Sequence, residues 1–178
     1  MKKEAVPQAA HIELTSSSVE ETQAFGEALG KLLQPGDVVA LRGELGSGKT
    51  TLIQGIARGL GRDPATIKSP TFVLMREYPG DAPLVHIDGY RLEGEAQASW
   101  LDVELIFGPR KITLIEWAER FGQLLPADRL ELHLAHKTTN RRGIRLAAYG
   151  ARAAETAARL REAVPQPASS ASDETAVD

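Results

Sequence analysis

The run Gly43-Glu44-Leu45-Gly46-Ser47-Gly48-Lys49-Thr50 fits the pattern G-x-x-x-x-G-K-[ST] at every position. It also sits in the context the pattern needs. The apolar, β-branched run Asp37–Leu41 precedes it, bounded by Gly36 and Gly43, and a helix-forming stretch from Lys49 to Leu60 follows, closed by Gly61. Strand, glycine loop and helix in that order make half of a parallel βαβ unit. The loop glycines let successive N–H groups converge on phosphate oxygens, and the next helix presents its positive end to the same anion. Glu44, Leu45, Gly46, Ser47 and Gly48 form this cradle. Lys49 adds a point charge for the outer phosphates, and Thr50 offers a hydroxyl to Mg²⁺. The expected ligand is ATP.

The other segments follow the same alternation. His11–Thr15 alternates as a short strand, and Val19–Leu33 has helical periodicity behind Ser16–Ser18 and stops at Pro35–Gly36. Phe72–Tyr78 and Leu84–Ile87 read as a strand pair around Pro79–Gly80, and Glu93–Phe107 as a poorly patterned helix broken by Gly108–Pro109. Lys111–Ile115 is a buried strand, Arg129–Leu134 and Ile144–Ala148 a late strand pair, and Ala151–Ala163 a helix. The predicted fold is α/β: a P-loop NTPase-like mixed sheet, mainly parallel, with helices on both faces. The predicted domain spans 11–163, between a flexible leader (1–10) and a disordered tail rich in Pro, Ser and Ala (164–178).

Composition narrows the chemistry. The 178 residues include no cysteine, which excludes disulfides, thiol catalysis and thiolate metal sites. The tail's Asp173, Glu174 and Asp178 account for the whole net charge of −3, so the neutral body has no general field for nucleic acid. With no long apolar run and no signal-peptide h-region, the expected location is the cytoplasm.

A phosphate cradle hydrolyses nothing without a further carboxylate to steady Mg²⁺ and a group to orient water. Two acids close apolar strands, where open α/β sheets place ligands: Glu116 after Ile112–Ile115, and Asp88 after Leu84–Ile87. Thr71 lies where a switch segment would sense a γ-phosphate. Trp117 is either an exposed functional aromatic or a core residue. The four histidines lack metal spacing, and His86 reads as packing. Lys137, Arg141, Arg142 and Arg145 are a local basic cluster, best read as a solvated hairpin, with a nucleotide or RNA contact as alternatives.

GELGSGKTT (Gly43–Thr51), KSPTF (Lys68–Phe72), HIDGYRL (His86–Leu92) and IEW (Ile115–Trp117), in this order, resemble the TsaE (YjeE) family of bacterial tRNA threonylcarbamoyladenosine synthesis. The resemblance covers about Thr15 to Leu146. It implies a weak, partner-dependent ATPase that docks on the TsaB–TsaD complex and reaches tRNA indirectly through it. It implies that Lys49, Thr50 and Thr51 hold phosphates and Mg²⁺, that Glu116 completes the Mg²⁺ site and that Asp88 acts in hydrolysis. Trp117 matches a functional family tryptophan, and Arg142 an arginine on the base side of the nucleotide. Ala118 departs from a common Pro, and 93–107 from a common acidic helix start. The competing function is a small-molecule P-loop kinase, although 93–107 holds no Lys or Arg for a phosphate-closing lid.

Overall fold

The strand Val38–Arg42 (β2) points Val39 and Leu41 into one apolar core, and Val38 and Ala40 into another. Side chains alternate across a strand, so a strand buried on both faces must lie inside a covered sheet. The computed structural model describes residues 9–164, and that sheet has seven strands. The others are Ala9–Ser16 (β1), Met75–Tyr78 (β3), Leu84–Asp88 (β4), Ile112–Glu116 (β5), Arg129–His136 (β6) and Arg142–Tyr149 (β7). Their order is β1-β7-β6-β2-β5-β4-β3. The central strands β6, β2, β5 and β4 run parallel, and β3, β7 and β1 pair antiparallel outside them.

The larger core is covered by the helices Val19–Gly30 (α1), Lys49–Gly59 (α2) and Ala151–Ala163 (α5). The second face is covered more thinly. Its core is closed by Glu95–Ala98 (α3), Val103–Ile106 (α4) and the 3-10 turns around Ala118 and Phe121. The expected helix across 93–107 is therefore two short ones. The first ends at Ala98, and Asp102 caps the second, accepting from the N–H groups of Glu104 and Leu105. Trp100, Val103 and Leu105 stay exposed, so no continuous apolar stripe supports one long helix. The expected strand from Phe72 also shortens. The amides of Val73 and Leu74 both donate to the Pro70 carbonyl, which turns the chain until Met75. At the N-terminus, β1 begins at Ala9, two residues before the expected start. Residues 1–8 and 165–178, most of the predicted leader and tail, lie outside the described residues. Among the described residues no helix is long and apolar enough to cross a membrane.

Helices α1 and α2 cross backbone to backbone through four glycines. A Cβ at Gly26 would lie 2.5 Å from the Leu52 carbonyl oxygen, and one at Gly30 2.2 Å from that of Ile56. Reciprocally, a Cβ at Gly55 would lie 2.3 Å from the Gln23 oxygen, and one at Gly59 2.3 Å from that of Glu27. Each interior helical glycine costs about 0.5–1 kcal/mol relative to alanine. Here the cost is offset by an approach that no other residue permits. Gly26→Ala and Gly55→Ala should therefore lower stability by about 1–3 kcal/mol, against their helix propensity, because backbone must move to admit the methyl. Urea denaturation checks this: an unchanged or raised midpoint would contradict it.

Candidate functional site

The parallel register brings the carboxyl ends of three strands level. Leu41 of β2 pairs with Glu116 of β5, which pairs with Asp88 of β4. The glycine loop leaves β2 at this edge. Gly43 has φ +141°, and a Cβ there would lie 2.2 Å from the Leu134 oxygen of β6, so the loop turns tightly against the sheet. It then enters α2, whose first residue is Lys49.

Lys49 is 4% exposed. Its ammonium donates to the carbonyls of Gly43 (2.7 Å) and Glu44 (2.9 Å). Burial pushes its pKa below the ordinary lysine value, opposed by the charges of Glu116, Glu119 and Asp88. The ammonium also lies 4.2 Å from the centre of the Trp117 ring. Trp117 is half-buried and holds a left-handed backbone (φ 57°, ψ 44°), a conformation that costs about 1–3 kcal/mol outside glycine. Tyr90 braces the ring at a centroid distance of 5.1 Å. Trp117 is thus neither a core aromatic nor a free surface residue.

Two hydrogen-bonded groups share the cavity with Lys49. Thr50 Oγ1 lies 3.1 and 3.0 Å from the two oxygens of Glu116, and His86 Nε2 lies 2.8 Å from Glu116 Oε1. In the second group, Asp88 Oδ2 accepts from Ser69 Oγ (2.5 Å) and Thr71 Oγ1 (2.6 Å), while its Oδ1 accepts from the Tyr90 N–H (2.9 Å). Asp88 and Glu116 are 2% and 3% exposed.

Most of the residues singled out from sequence line one cavity of about 450 Å³: Leu45, Gly46, Gly48, Lys49, Thr50, Thr51, Thr71, Asp88, Glu116, Trp117 and Arg142. Glu44 and Ser47 do not line it. Glu44 contributes its carbonyl to Lys49, and Ser47 is buried under the loop with an unpartnered hydroxyl. The basic cluster divides. Arg142 packs on Gly48, its Nε buried and unpartnered, so it does not belong to a solvated hairpin. Lys137 donates to Thr15, and Arg145 lies 3.9 Å from Glu13. Sequence reasoning missed three residues. Ser69 and Tyr90 line the cavity, and His86 stands behind Glu116. Ser69 and Tyr90 fall within the family-like runs, two residues from Thr71 and Asp88, and that proximity was their available signal.

The polar atoms fit a magnesium–nucleotide ligand. Among the described residues no three His, Cys, Asp or Glu side chains form a metal cage. The pair Thr50–Glu116 instead supplies the sparse oxygen donors that suit an ion keeping its waters and phosphate ligands.

A sequence profile of the threonylcarbamoyl adenosine biosynthesis protein TsaE matches residues 16–144. The chain belongs to the TsaE family. It is 39% identical over 134 residues to the tRNA threonylcarbamoyladenosine biosynthesis protein TsaE of Bacillus subtilis, covering 75% of this chain and 83% of that one. The Streptomyces coelicolor TsaE is 47% identical over 116 residues, covering 62% of this chain and 76% of that protein. The crystal structure of Bacillus subtilis YdiB superposes with a TM-score of 0.73 at 31% identity, over 87% of this chain and 97% of YdiB. TsaE is thus the family in which the P-loop α/β architecture and the four ordered motifs of this chain belong.

The Lys49–Trp117 contact makes an optical probe. The chain has two tryptophans, and Trp100 is 83% exposed and outside the cavity lining. Inorganic triphosphate drawn to Lys49 should change the emission of Trp117. The signal should survive Trp100→Phe and vanish in Trp117→Phe; the reverse pattern would place the anion elsewhere.

Proposed function

We propose that this chain binds ATP with Mg²⁺ and hydrolyses it in the cytoplasm, in support of threonylcarbamoyl modification of tRNA. The modified base is the adenosine next to the anticodon in tRNAs reading codons that begin with A, and the protein acts as an ATPase on the TsaB–TsaD complex. The observation that carries this reading is that Asp88 and Glu116 end neighbouring strands side by side and line the same cradle as Lys49. Family membership supports the pathway.

In this reading the loop amides and Thr51 hold the phosphates, and Lys49 exchanges the carbonyls of Gly43 and Glu44 for phosphate oxygens. Thr50 and Glu116 hold Mg²⁺, which when bound neutralises charge developing on the β- and γ-phosphates. Arg142 faces the nucleotide beyond Gly48. Thr71 must leave Asp88 to reach a γ-phosphate, and that exchange removes one of the two hydroxyls on Oδ2, leaving Ser69. Asp88 then orients the attacking water and takes its proton, while the γ-phosphorus–oxygen bond to ADP breaks. With Asp88 Oδ2 held by two hydroxyls, turnover by the chain alone is slow. The kinase alternative gains no support from 93–107, which has no basic residue and packs as α3 and α4 against the second core.

Two measurements test this. Asp88→Asn should bind ATP within about threefold of wild type and lose turnover by about a hundredfold or more; a mutant that turns over normally would remove Asp88 from the chemistry. In a reconstitution with TsaB, TsaC and TsaD, multi-turnover tRNA modification should require this chain and fail with Lys49→Ala. Modification indifferent to the chain would sink the proposal.

Nucleotide should also stabilise the fold, because a bound anion compensates the buried ammonium. At a hundred times its dissociation constant the gain is about 2.7 kcal/mol, or roughly 5–10 °C in Tm for a domain of this size. The Lys49→Ala protein should lose most of that rise in a thermal melt with MgATP. An equal rise in both proteins would mean that Lys49 does not meet the phosphates.

A further inference from the structure

His86 lies on the face of β4 that carries Leu84, toward the larger core, and is 0% exposed, whereas the other three histidines are exposed. Leu84, Leu114 and Leu41 fill neighbouring places on that face of the sheet. An aliphatic side chain would suit the same place if packing alone were required. Instead an imidazole stands there, its Nε2 2.8 Å from Glu116 Oε1 and its Nδ1 buried without a partner. Placing the proton on Nε2 makes that bond and leaves Nδ1 only a lone pair. The geometry thus assigns the Nε2–H tautomer, with Nε2 the donor to Glu116.

Glu116 is held in the structure by Thr50 on its open side and His86 on its closed side. The Thr50 hydroxyl is also the group offered to the metal, so it cannot alone fix the carboxylate. His86 can, because it is immobile in the core and reaches Glu116 from behind the cavity. We propose that His86 is a positioning residue for the magnesium-binding carboxylate: its Nε2–H sets the Glu116 orientation that the metal–nucleotide complex requires. This rests on the Thr50–Glu116 magnesium site proposed above. It assigns His86 no contact with nucleotide. A donor behind a ligating carboxylate is the kind of partner whose loss costs about 10–100-fold in metal affinity.

The test is binding of a fluorescent ATP analogue, with Mg²⁺ and with EDTA, so no turnover is read. Wild type should bind more tightly with Mg²⁺. In His86→Leu that magnesium-dependent gain should fall by about tenfold or more, while affinity in EDTA stays within about threefold of wild type. His86→Gln, whose side-chain amide extends as far as Nε2, should keep most of the gain. His86→Asn, polar but too short, should lose it, and the Asn–Gln pair gives the same comparison if the Leu variant does not fold. A full magnesium gain in the Leu or Asn variants, or an equal loss in Gln, would overturn the proposal. A wild type that gains nothing from Mg²⁺ would instead overturn the nucleotide reading itself, and this inference with it.

Discussion

The backbone-to-backbone crossing of α1 and α2 carries much of what happens at the sheet edge. With glycines at four contact points, each helix sits in the other's groove with no side chain between them. Such contacts leave no slack, since any Cβ would strike a carbonyl. Helix α2 is therefore held along its length, and its first turn, carrying Lys49, Thr50 and Thr51, is held over the ends of β2, β5 and β4. A phosphate site needs this rigidity, because its amides and ammonium must converge before the anion arrives.

The cavity combines groups that are costly apart and tolerable together. A buried ammonium sits among carboxylates, two loop carbonyls and an aromatic face held in a strained conformation. Both carboxylates are occupied by hydroxyls, Glu116 by Thr50 and Asp88 by Ser69 and Thr71. These bonds satisfy the buried carboxylate oxygens. The loop after Pro70, with Leu74 in a left-handed conformation and Phe72 88% exposed, connects Thr71 directly to the surface.

Strand-ending acids, the glycine loop and the order of elements were legible because they depend on local rules. A period-2 or fully apolar run marks a strand, and a loop rich in glycine before a helix marks an anion site. Asp88 and Glu116 were found by position at strand ends. By residue pattern alone Arg142 was not separable from Lys137, Arg141 and Arg145, since all four share a short basic stretch; only the family resemblance singled it out. The packing of Arg142 at the start of β7 against Gly48 of the P-loop gives that distinction its physical basis. The segment 93–107 was misread as one helix because helix length there depends on which apolar residues find a core, and Trp100, Val103 and Leu105 do not.

By itself, the sequence determined the phosphate cradle, the α/β alternation and the family, because those are written in contiguous runs with fixed spacing. Tertiary structure decided the relations between runs: the β4–β5 register that sets Asp88 beside Glu116, the Trp117 ring over Lys49, and the bond from His86 to Glu116. Each joins residues 30 or more positions apart or on different strands. Such contacts depend on strand order and side-chain direction, which no single stretch of chain encodes.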